Sequence, residues 1–548
     1  MNLFNHVRTQ VVDLLSLYKA DLLAKITLEP PRDASHGDLS TNAAMILAKE
    51  SGKNPRALAE DFQKLFTQVE DVEKIEIAGA GFINFRMKPE FWQKIIDEIL
   101  TQGSLYGTSD IGNKEKVCVE YVSVNPTGPL HIGHARGAVF GDCLANLLQR
   151  VGYKVTKEYY INDAGGQINT LMESIKLRQQ GIEIPAGMYP GEYLIDIAKK
   201  LEGSKDLRHD AVEAVMELIR ENLAAANIKH EVFTSEFELT QKGLPTKAIE
   251  NLQANGFIYQ GTLEAPKGKL PDDWEEREQT LFKSTEFGDD VDRALKKSDG
   301  SLTYFAGDLG YHLDKINRGF SKLINVMGQD HAGYVKRLKA GVKALSDGKV
   351  ECEIKLVNLV KLMKNGESVK MSKRGGNYVF IEEVIDEVGI DALRFIMMTR
   401  KNDAPLDFDL AQVVEQSKDN PVFYVQYAHA RTHSAFRQYG KETNFIGADY
   451  ALLQTESEQT LIKKLAEYPR IVELAATHYE PHRIAFYLQD LAADFHSLWN
   501  SGSADPALKF ITDNEKTTLA RLALVKATQI VLKNGLEIFG VSAPQEMR

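Results

Sequence analysis

The chain has 548 residues, which is more than one hydrophobic core usually holds, so two to four domains are expected. Its 43% hydrophobic and 26% charged residues are typical of a globular protein and exclude a largely disordered chain. No run of about 18 apolar residues occurs, so no membrane span is predicted. The formal net charge of -11 is weak evidence against a nucleic-acid partner, although a basic stripe can lie on an acidic protein.

The amino terminus is predicted to form an amphipathic helix. MNLFNHVRTQVVDLLSLY lacks the charged head, apolar block and small-residue cleavage site of a signal peptide. Its apolar residues recur at helical spacing, namely Leu3, Phe4, Val7, Val11, Leu14, Leu15 and Tyr18. The cysteines Cys118, Cys143 and Cys352 are far apart, and no Cys-x-x-Cys occurs. We therefore expect a cytoplasmic location, without a disulfide framework or a structural zinc site.

Residues 1–110 form the first predicted unit, an N-terminal α+β domain. Within it, KIEIAGAGFINFRM at 74–87 alternates like a strand, a turn and a second strand. Its Gly79-Ala80-Gly81 is not read as a dinucleotide fingerprint, because no helix opens after it. Residues 103–115 are turn-rich and charged, as is typical of a linker.

Residues 111–404 are predicted to form a parallel-sheet domain. A β-branched strand at 116–124 leads through a glycine-rich loop into a helical face that runs to Val151, and a second strand follows at 154–163. This βαβ order predicts a parallel sheet. Residues of about 171–260 have a mostly helical pattern, typical of an inserted segment. Further strands are predicted at 301–308, 322–331 and 353–362.

Residues 405–548 are predicted to be helical to the end, with helix boundaries or breaks at Pro421, Pro469 and Pro481. The pattern favours an all-α C-terminal domain. The predicted fold class is therefore α/β, a Rossmann-like parallel-sheet catalytic domain with an N-terminal α+β domain and an all-α C-terminal domain.

The loop between the first strand and the helix, VNPTGPLHIGHARG at 124–137, carries two histidines. In open α/β sheets, ligands bind at the carboxyl ends of the strands, and a helix amino terminus offers N–H groups to a phosphate. Gly133 allows a ligand to approach the backbone closely, and His131 and His134 can donate to phosphate oxygens. On the residues alone, a surface histidine pair or a metal site remains open beside this nucleotide interpretation.

Two motifs give the chain a family resemblance. His131-Ile-Gly-His134 resembles the HIGH signature of class I aminoacyl-tRNA synthetases, and Lys370-Met371-Ser372-Lys373 resembles their lysine signature. The arginyl-tRNA synthetases match over nearly the whole chain, in NPTGPLHIGHARG, EYYINDAGGQ, FGDDVDR, KSDGSLTYFAGDLGYH, GQDHAGY, VKMSKRGGN, DALRFIMMTR and DNPVFYVQYAHAR. Some members of that family replace the lysine signature with a lysine just before HIGH. Here 127–130 hold no lysine and the late motif is intact.

The resemblance implies an ATP-dependent ligase. It would convert L-arginine and ATP into arginyl-adenylate and pyrophosphate, and then transfer arginine to the 3′ end of tRNA(Arg) with release of AMP. The catalytic residues implied are His131, Gly133, His134, Lys370, Met371, Ser372 and Lys373. Mg²⁺ is expected to arrive with ATP, bound mainly by phosphate and water, and no protein metal site is expected.

The resemblance also implies an arginine site. Tyr304 and Asp308 would face the guanidinium group, whose planar fork of donors calls for carboxylates and neutral acceptors. Glu120 and Asn125 would hold the α-amino and carboxyl ends, and Gln329 would lie near the substrate. Without the resemblance, Asp308 is more simply a helix cap or a surface carboxylate. Asn162 and Asp163 either shape the pocket or cap the next helix.

Two further regions are implied to contact tRNA. Phe82 and Asn84 of the N-terminal domain would reach the tRNA elbow, unless Phe82 is a core residue and Asn84 a turn residue. Tyr427 and Arg431 would meet the anticodon, since aromatic faces suit unstacked bases. Aromatic residues at helical spacing are usually core, so burial of Tyr424, Tyr427 or both is expected. A monomer is expected.

Three other functions are weighed against this one. A small adenylyltransferase would need neither the first domain nor the helical tail. A cysteinyl-specific relative would need zinc-binding cysteines that the chain lacks. A non-catalytic tRNA-binding paralogue is disfavoured by the intact histidines and lysines.

Overall fold

The computed structural model describes residues 2–31, 33–263, 278–297, 299–369 and 379–547. The lysine motif at 370–373 lies outside these residues.

The N-terminal part packs helices against a four-stranded antiparallel sheet of order β1-β2-β4-β3. Its strands are β1 (Leu28–Glu29), β2 (Leu39–Thr41), β3 (Val72–Ala78) and β4 (Phe82–Met87). Its helices are α1 (Leu3–Leu14), α2 (Ala20–Leu23), α3 (Ala43–Ser51), α4 (Pro55–Leu65) and α5 (Pro89–Gln102). Helix α1 buries Leu3, Phe4, Val7 and Val11, which confirms its predicted amphipathic character. The strand, turn and strand predicted at 74–87 are also confirmed.

The middle part contains eleven described strands and ten described helices. The strands are β5 (Lys116–Glu120), β6 (Lys154–Ile161), β7 (Val232–Ser235), β8 (Ile258–Gly261), β9 (Gln279–Phe282), β10 (Arg293–Ala294), β11 (Lys322–Gly328), β12 (Glu351–Val357), β13 (Val360–Lys364), β14 (Glu367–Ser368) and β15 (Leu406–Asp409). The helices are α6 (Ile132–Arg150), α7 (Gly166–Gln179), α8 (Tyr193–Lys200), α9 (Leu207–Ala225), α10 (Glu236–Gln241), α11 (Leu244–Ala254), α12 (Tyr304–Asn317), α13 (Val335–Leu345), α14 (Ile381–Val388) and α15 (Ile390–Met397).

A five-stranded parallel sheet of order β12-β11-β5-β6-β7 forms the centre of this part. The chain runs outward from β5 through β6 to β7, and then returns to β11 on the other side of β5. Strand order therefore reverses beside β5. The crevice at the carboxyl ends of β5 and β11 is the place where such sheets bind ligands.

Three predictions for this part need correction. Residues 301–308 do not form a strand, because the side chain of Thr303 accepts a hydrogen bond from the Ala306 N–H and begins α12. An N-cap threonine stabilises a helix start, and here it outweighs the strand preference of the aromatic residues around it. The stretch 353–362 forms two strands, β12 and β13, rather than one. The mostly helical region 171–260 also contributes β7 to the central sheet.

The helical prediction from residue 405 is wrong at its start, where β15 lies parallel to β13 from Val360–Leu406 to Met363–Asp409. The Asp409 carboxylate accepts the N–H of Gly366, at 2.7 Å, in the turn after β13. Four long helices follow, α16 (Pro421–Tyr439), α17 (Glu456–His478), α18 (His482–Ala504) and α19 (Glu515–Ile538). Pro421 begins α16 and Pro481 precedes α18, whereas Pro469 lies inside α17.

Buried contacts join the three parts. Tyr106, in the predicted linker, is fully buried and donates its hydroxyl to the Leu465 carbonyl of α17 at 2.9 Å, so this segment is packed. Arg394 of α15 donates to Asp142 of α6 and to the Phe539 carbonyl after α19, both at 2.5 Å. None of the described helices is long and apolar enough to cross a membrane.

Candidate active site

The chain leaves β5 through a strained turn. Val122 and Ser123 have φ angles of 70° and 40°, in a left-handed region that costs a non-glycine residue about 1–3 kcal/mol. The predicted strand therefore ends earlier than expected. Contacts with β6 hold the turn, since the Ser123 hydroxyl accepts the Tyr160 N–H at 3.1 Å and the Tyr159 hydroxyl donates to the Val124 carbonyl at 2.8 Å.

The two histidines sit at the amino terminus of α6. His131 is the N-cap, and its Nδ1 accepts the Gly133 N–H at 3.1 Å. The Nδ1 of His134 accepts the His131 N–H at 3.3 Å, and the ring centroids are 3.7 Å apart. Because each Nδ1 is an acceptor, a neutral ring carries its proton on Nε2 and can donate from there. A Cβ at residue 133 would lie 2.9 Å from the His131 ring, so this ring position requires glycine.

The histidine loop pairs with the segment that follows the lysine motif. The Ile132 N–H donates to the Val379 carbonyl, and the Ile381 N–H donates to the Leu130 carbonyl, both at 3.0 Å. Together with the bridge between His131 and Phe380, these bonds join the histidine loop to residues 379–381, a segment far from it in sequence. The first described residues after the lysine motif, Val379 and Phe380, thus lie beside the first histidine.

Three carboxylates gather at the carboxyl edge of the sheet. Glu120 ends β5, Glu236 begins α10 immediately after β7, and Asp308 lies near the start of α12. Burial raises the pKa of Asp308 to about 7, against a hydrogen bond from the Tyr334 hydroxyl, and the charges of Glu120 and Glu236 add to the rise. Burial also raises the pKa of Glu236. Such a group of carboxylates favours a cationic ligand.

A buried network fixes Glu120. Its Oε2 accepts from Lys315 at 2.5 Å and from Asn325 at 3.0 Å. Burial alone would lower the pKa of Lys315, but the charge of Glu120 holds this pKa above its ordinary value. Asn325 also contacts His312, and burial lowers the pKa of His312 to about 3. Lys315 therefore neutralises Glu120, and Asp308 and Glu236 remain as the acidic excess.

Glu236 and Lys315 were not identified from the sequence. Neither belongs to a motif, and β7, which places Glu236, lies in a region whose pattern is mostly helical. Spacing could not signal either residue, because their roles depend on how distant strands and helices meet in the sheet.

The other residues predicted to bind the amino acid differ in their contacts and exposure. Asn125 donates to the Gln167 side chain at 2.7 Å, which ties the loop to α7. Tyr304 is 75% exposed, with the Lys297 ammonium 5.4 Å from its ring centroid. Gln329 is exposed just after β11. The structure thus brings Glu120 and Asp308 together, while Tyr304 and Gln329 present their side chains to solvent.

Asp163 has a capping role. Its carboxylate accepts the Ser235 hydroxyl at 2.6 Å and the Phe237 N–H at 2.8 Å. It therefore holds the start of α10, and with it the Glu236 side chain, instead of capping α7, the helix next in sequence. In the described part of the chain, no group of three or more His, Cys, Asp or Glu side chains could hold a metal ion.

The residues predicted to contact the tRNA elbow differ in accessibility. Phe82 begins β4 and is 43% exposed, so it is not a core residue. Asn84 is 4% exposed inside β4, opposite Ser40 and Glu76, and its Oδ1 has no hydrogen-bond partner. Phe82 can meet a partner directly, whereas Asn84 lies beneath the surface.

The residues predicted to meet the anticodon form one cluster on α16 and α18. The Arg431 guanidinium lies 4.4 Å from the Tyr427 ring centroid and 5.3 Å from that of Trp499. Its Nη1 lies 3.0 Å from the Nδ1 of His496. Tyr424 and Tyr427 are each half-buried, so the expected burial is partial.

Comparisons with known proteins agree with this geometry. Residues 5–87 match the arginyl tRNA synthetase N terminal domain, 95–434 match the tRNA synthetases class I (R) catalytic domain, and 425–547 match the DALR anticodon binding domain. The sheet, the histidine loop at the start of α6 and the catalytic-domain match define a class I aminoacyl-tRNA synthetase.

Individual relatives indicate which family within this class the chain belongs to. The arginine–tRNA ligase of Parvibaculum lavamentivorans is 54% identical, covering 96% of this chain and 95% of its own length. That of Ruegeria pomeroyi is 52% identical over 100% of both chains. The solved Thermus thermophilus arginyl-tRNA synthetase has a TM-score of 0.77 over 99% of this chain and 100% of its own, at 22% identity, which supports the fold alone. The chain belongs to the arginyl-tRNA synthetase family, which confirms both the resemblance and the fold class predicted from the sequence.

Proposed function

We propose that the histidine loop and the three carboxylates Glu120, Glu236 and Asp308 are two halves of one active site. In this site L-arginine is activated by ATP and transferred to the 3′ end of tRNA(Arg). ATP-dependent arginine–tRNA ligation is the function of the family to which the chain belongs. The observation that carries the residue assignment is the meeting of Glu120, Glu236 and Asp308 at the carboxyl edge of the sheet that also bears His131 and His134.

Arginine binds with its guanidinium group toward Asp308 and Glu236. A guanidinium presents donors in a planar fork that matches carboxylates. The Lys315–Glu120 pair at 2.5 Å leaves Glu120 Oε1 for the substrate. Asn125, Tyr304 and Gln329 complete the site around the rest of the amino acid. Lysine is rejected because one ammonium would leave buried acceptors unpaired.

In the activation step, an oxygen of the arginine carboxylate attacks the α-phosphorus of ATP, and the bond to the pyrophosphate oxygen breaks. His131 and His134 donate to the phosphates from Nε2, and the backbone at Gly133 allows close approach. Lys370 and Lys373, with Met371 and Ser372 between them, stabilise the charge that develops on pyrophosphate. Positioning and cationic stabilisation supply most of the catalysis in such reactions. Mg²⁺ reaches the site on the ATP phosphates.

In the transfer step, the 2′-hydroxyl of the terminal ribose attacks the carbonyl carbon of arginyl-adenylate, and AMP leaves. Phe82, with Asn84 behind it, contacts the tRNA elbow, and Tyr427 and Arg431 contact the anticodon. The stacked Arg431 guanidinium and its aromatic neighbours suit an unstacked base. The protein works as a cytoplasmic monomer.

Amino-acid-dependent ATP–pyrophosphate exchange tests this function. We expect exchange with arginine alone among the twenty amino acids, and only when tRNA(Arg) is present. Exchange driven by another amino acid would contradict the specificity. tRNA binding without any exchange would instead support the non-catalytic paralogue.

A further inference from the structure

The side chain of Asn222 links two parts of the site. It lies on α9, outside both signature motifs, and is 4% exposed. Its Oδ1 accepts the backbone N–H of Leu130 at 2.7 Å, and its Nδ2 donates to the Glu382 carboxylate at 2.7 Å. Leu130 immediately precedes the first histidine, and Glu382 lies in the first turn of α14, after the lysine motif.

These two bonds complete an existing pairing. The Ile132 N–H donates to the Val379 carbonyl and the Ile381 N–H to the Leu130 carbonyl, so the two segments already share backbone bonds. Asn222 closes the pairing from a third element, since it binds the remaining N–H of Leu130 and reaches the helix that Ile381 begins. Helix α9 thus holds both segments, one through Leu130 and the other through Glu382, and we call this arrangement the clamp.

The chemistry of the clamp requires an amide. A backbone N–H needs an acceptor and a carboxylate needs a donor, so the orientation of the Asn222 side chain is fixed by its partners. Leu130 is fully buried, so its N–H would lack a partner if Asn222 were removed. An aspartate at 222 would keep the acceptor but would place a carboxylate against Glu382.

We infer that Asn222 is a positioning residue for adenylate formation, which holds the backbone of the histidine loop against α14 and thereby sets the His131 ring. The inference rests on the proposed function of His131. Asn222 acts through the backbone of Leu130, and its partner Glu382 sets the direction of the amide. A shift of about 1 Å in such a group is enough to lower a rate by roughly a hundredfold.

A reversal of the hydrogen bond tests the inference, with arginine-dependent exchange in the presence of tRNA(Arg) as the assay. Asn222→Asp is expected to lower kcat for exchange by roughly tenfold to a hundredfold. Glu382→Gln keeps an acceptor for the Asn222 amide and is expected to remain near wild type. The double variant Asn222→Asp/Glu382→Gln restores a donor and an acceptor with exchanged roles, and its kcat is expected to return to within about threefold of wild type.

Glu382→Ala provides a variant that leaves no buried cavity, because Glu382 is exposed. We expect a several-fold fall in kcat, with the KM for arginine and the melting temperature unchanged. Wild-type kcat in both Asn222→Asp and Glu382→Ala would overturn the inference, and so would a folded double variant as slow as Asn222→Asp. An inactive wild-type chain would count against the proposed function rather than the clamp.

Discussion

Partial burial, together with the charges of Glu120 and Glu236, raises the pKa of Asp308 to about 7. A guanidinium bound at this carboxylate favours the ionised form and lowers the pKa in the complex. The proposed complex therefore holds fewer protons than the free protein, and we expect arginine affinity to rise with pH up to about 7 and then to level off.

Calorimetric titration with arginine measures this linkage. Below the pKa, affinity should change by up to about tenfold per pH unit, and the binding heat should depend on the ionisation enthalpy of the buffer. Asp308→Asn should bind arginine weakly at every pH and release fewer protons than the wild-type protein. If the wild-type protein bound arginine without releasing a proton at pH values below the pKa of Asp308, the assignment of Asp308 to the arginine site would be contradicted.

A substitution of Glu236 tests whether this carboxylate binds arginine. Glu236→Gln removes a charged acceptor that is expected to be worth about 1.5–3 kcal/mol, so the KM for arginine should rise by roughly tenfold to a hundredfold. Glu238→Gln is the matched control, since Glu238 lies on the same short helix, is exposed, and pairs only with Lys242 among its described ion pairs. An equal effect of both variants would show that Glu236 does not face the substrate.

At the start of helix α6, the position of the His131 ring depends on the absence of a side chain at residue 133. In Gly133→Ala, the new Cβ would lie 2.9 Å from the His131 ring, so the imidazole must move. Alanine is also the better helix former, by about 1 kcal/mol. We expect exchange activity to fall by at least about tenfold, while the melting temperature is kept or raised.

Gly137→Ala is the control within the same helix, because a Cβ there would meet no atom within 4 Å. Its activity should equal that of wild type, with a similar gain in stability. If Gly133→Ala also kept full activity, the position of the His131 ring would not matter for catalysis.

The elements were predictable where local pattern and tertiary structure agree. Apolar spacing predicted α1 and α6, and β-branched runs predicted β6 and β11. The pattern failed at 301–308, where one hydrogen bond from the Ala306 N–H to the Thr303 side chain begins a helix among strand-forming residues. The histidine motif marked one half of the site, but no local pattern signals Glu236 or Asn222. The charge of Glu236 acts on Asp308, and Asn222 is bonded to Leu130 and Glu382; these partners lie 72 or more residues away in the sequence.

A fully buried ion pair between Arg394 and Asp142, at 2.5 Å, connects distant parts of the molecule. The same guanidinium donates to the carbonyls of Ala226 and Phe539. It therefore joins the histidine helix α6 to the end of α9 and to the chain after α19. Lys157 also pairs with Asp142, at 2.7 Å, so removal of Arg394 leaves that buried carboxylate with one cation instead of two and leaves the Ala226 and Phe539 carbonyls without their donor.

Arg394→Met should destabilise the protein by about 3–5 kcal/mol, measured as a large fall in melting temperature. Lys533→Met is the control, because its pair with Glu537 at 3.8 Å on α19 is exposed and is worth no more than about 1 kcal/mol. A similar melting temperature for the two variants would show that the buried pair does not hold the parts together.

The short ladder between β13 and β15 has a mechanical consequence. The first of these strands runs toward the lysine motif, the second runs toward the anticodon-binding helices, and Asp409 ties the second to the turn after the first. The C-terminal bundle is therefore attached to the middle part of the chain by strand pairing just before its first helix. A tilt of the bundle would strain the hydrogen bonds between β13 and β15, so we expect a force on the far end of the bundle to be transmitted to the strand that precedes the lysine motif in sequence.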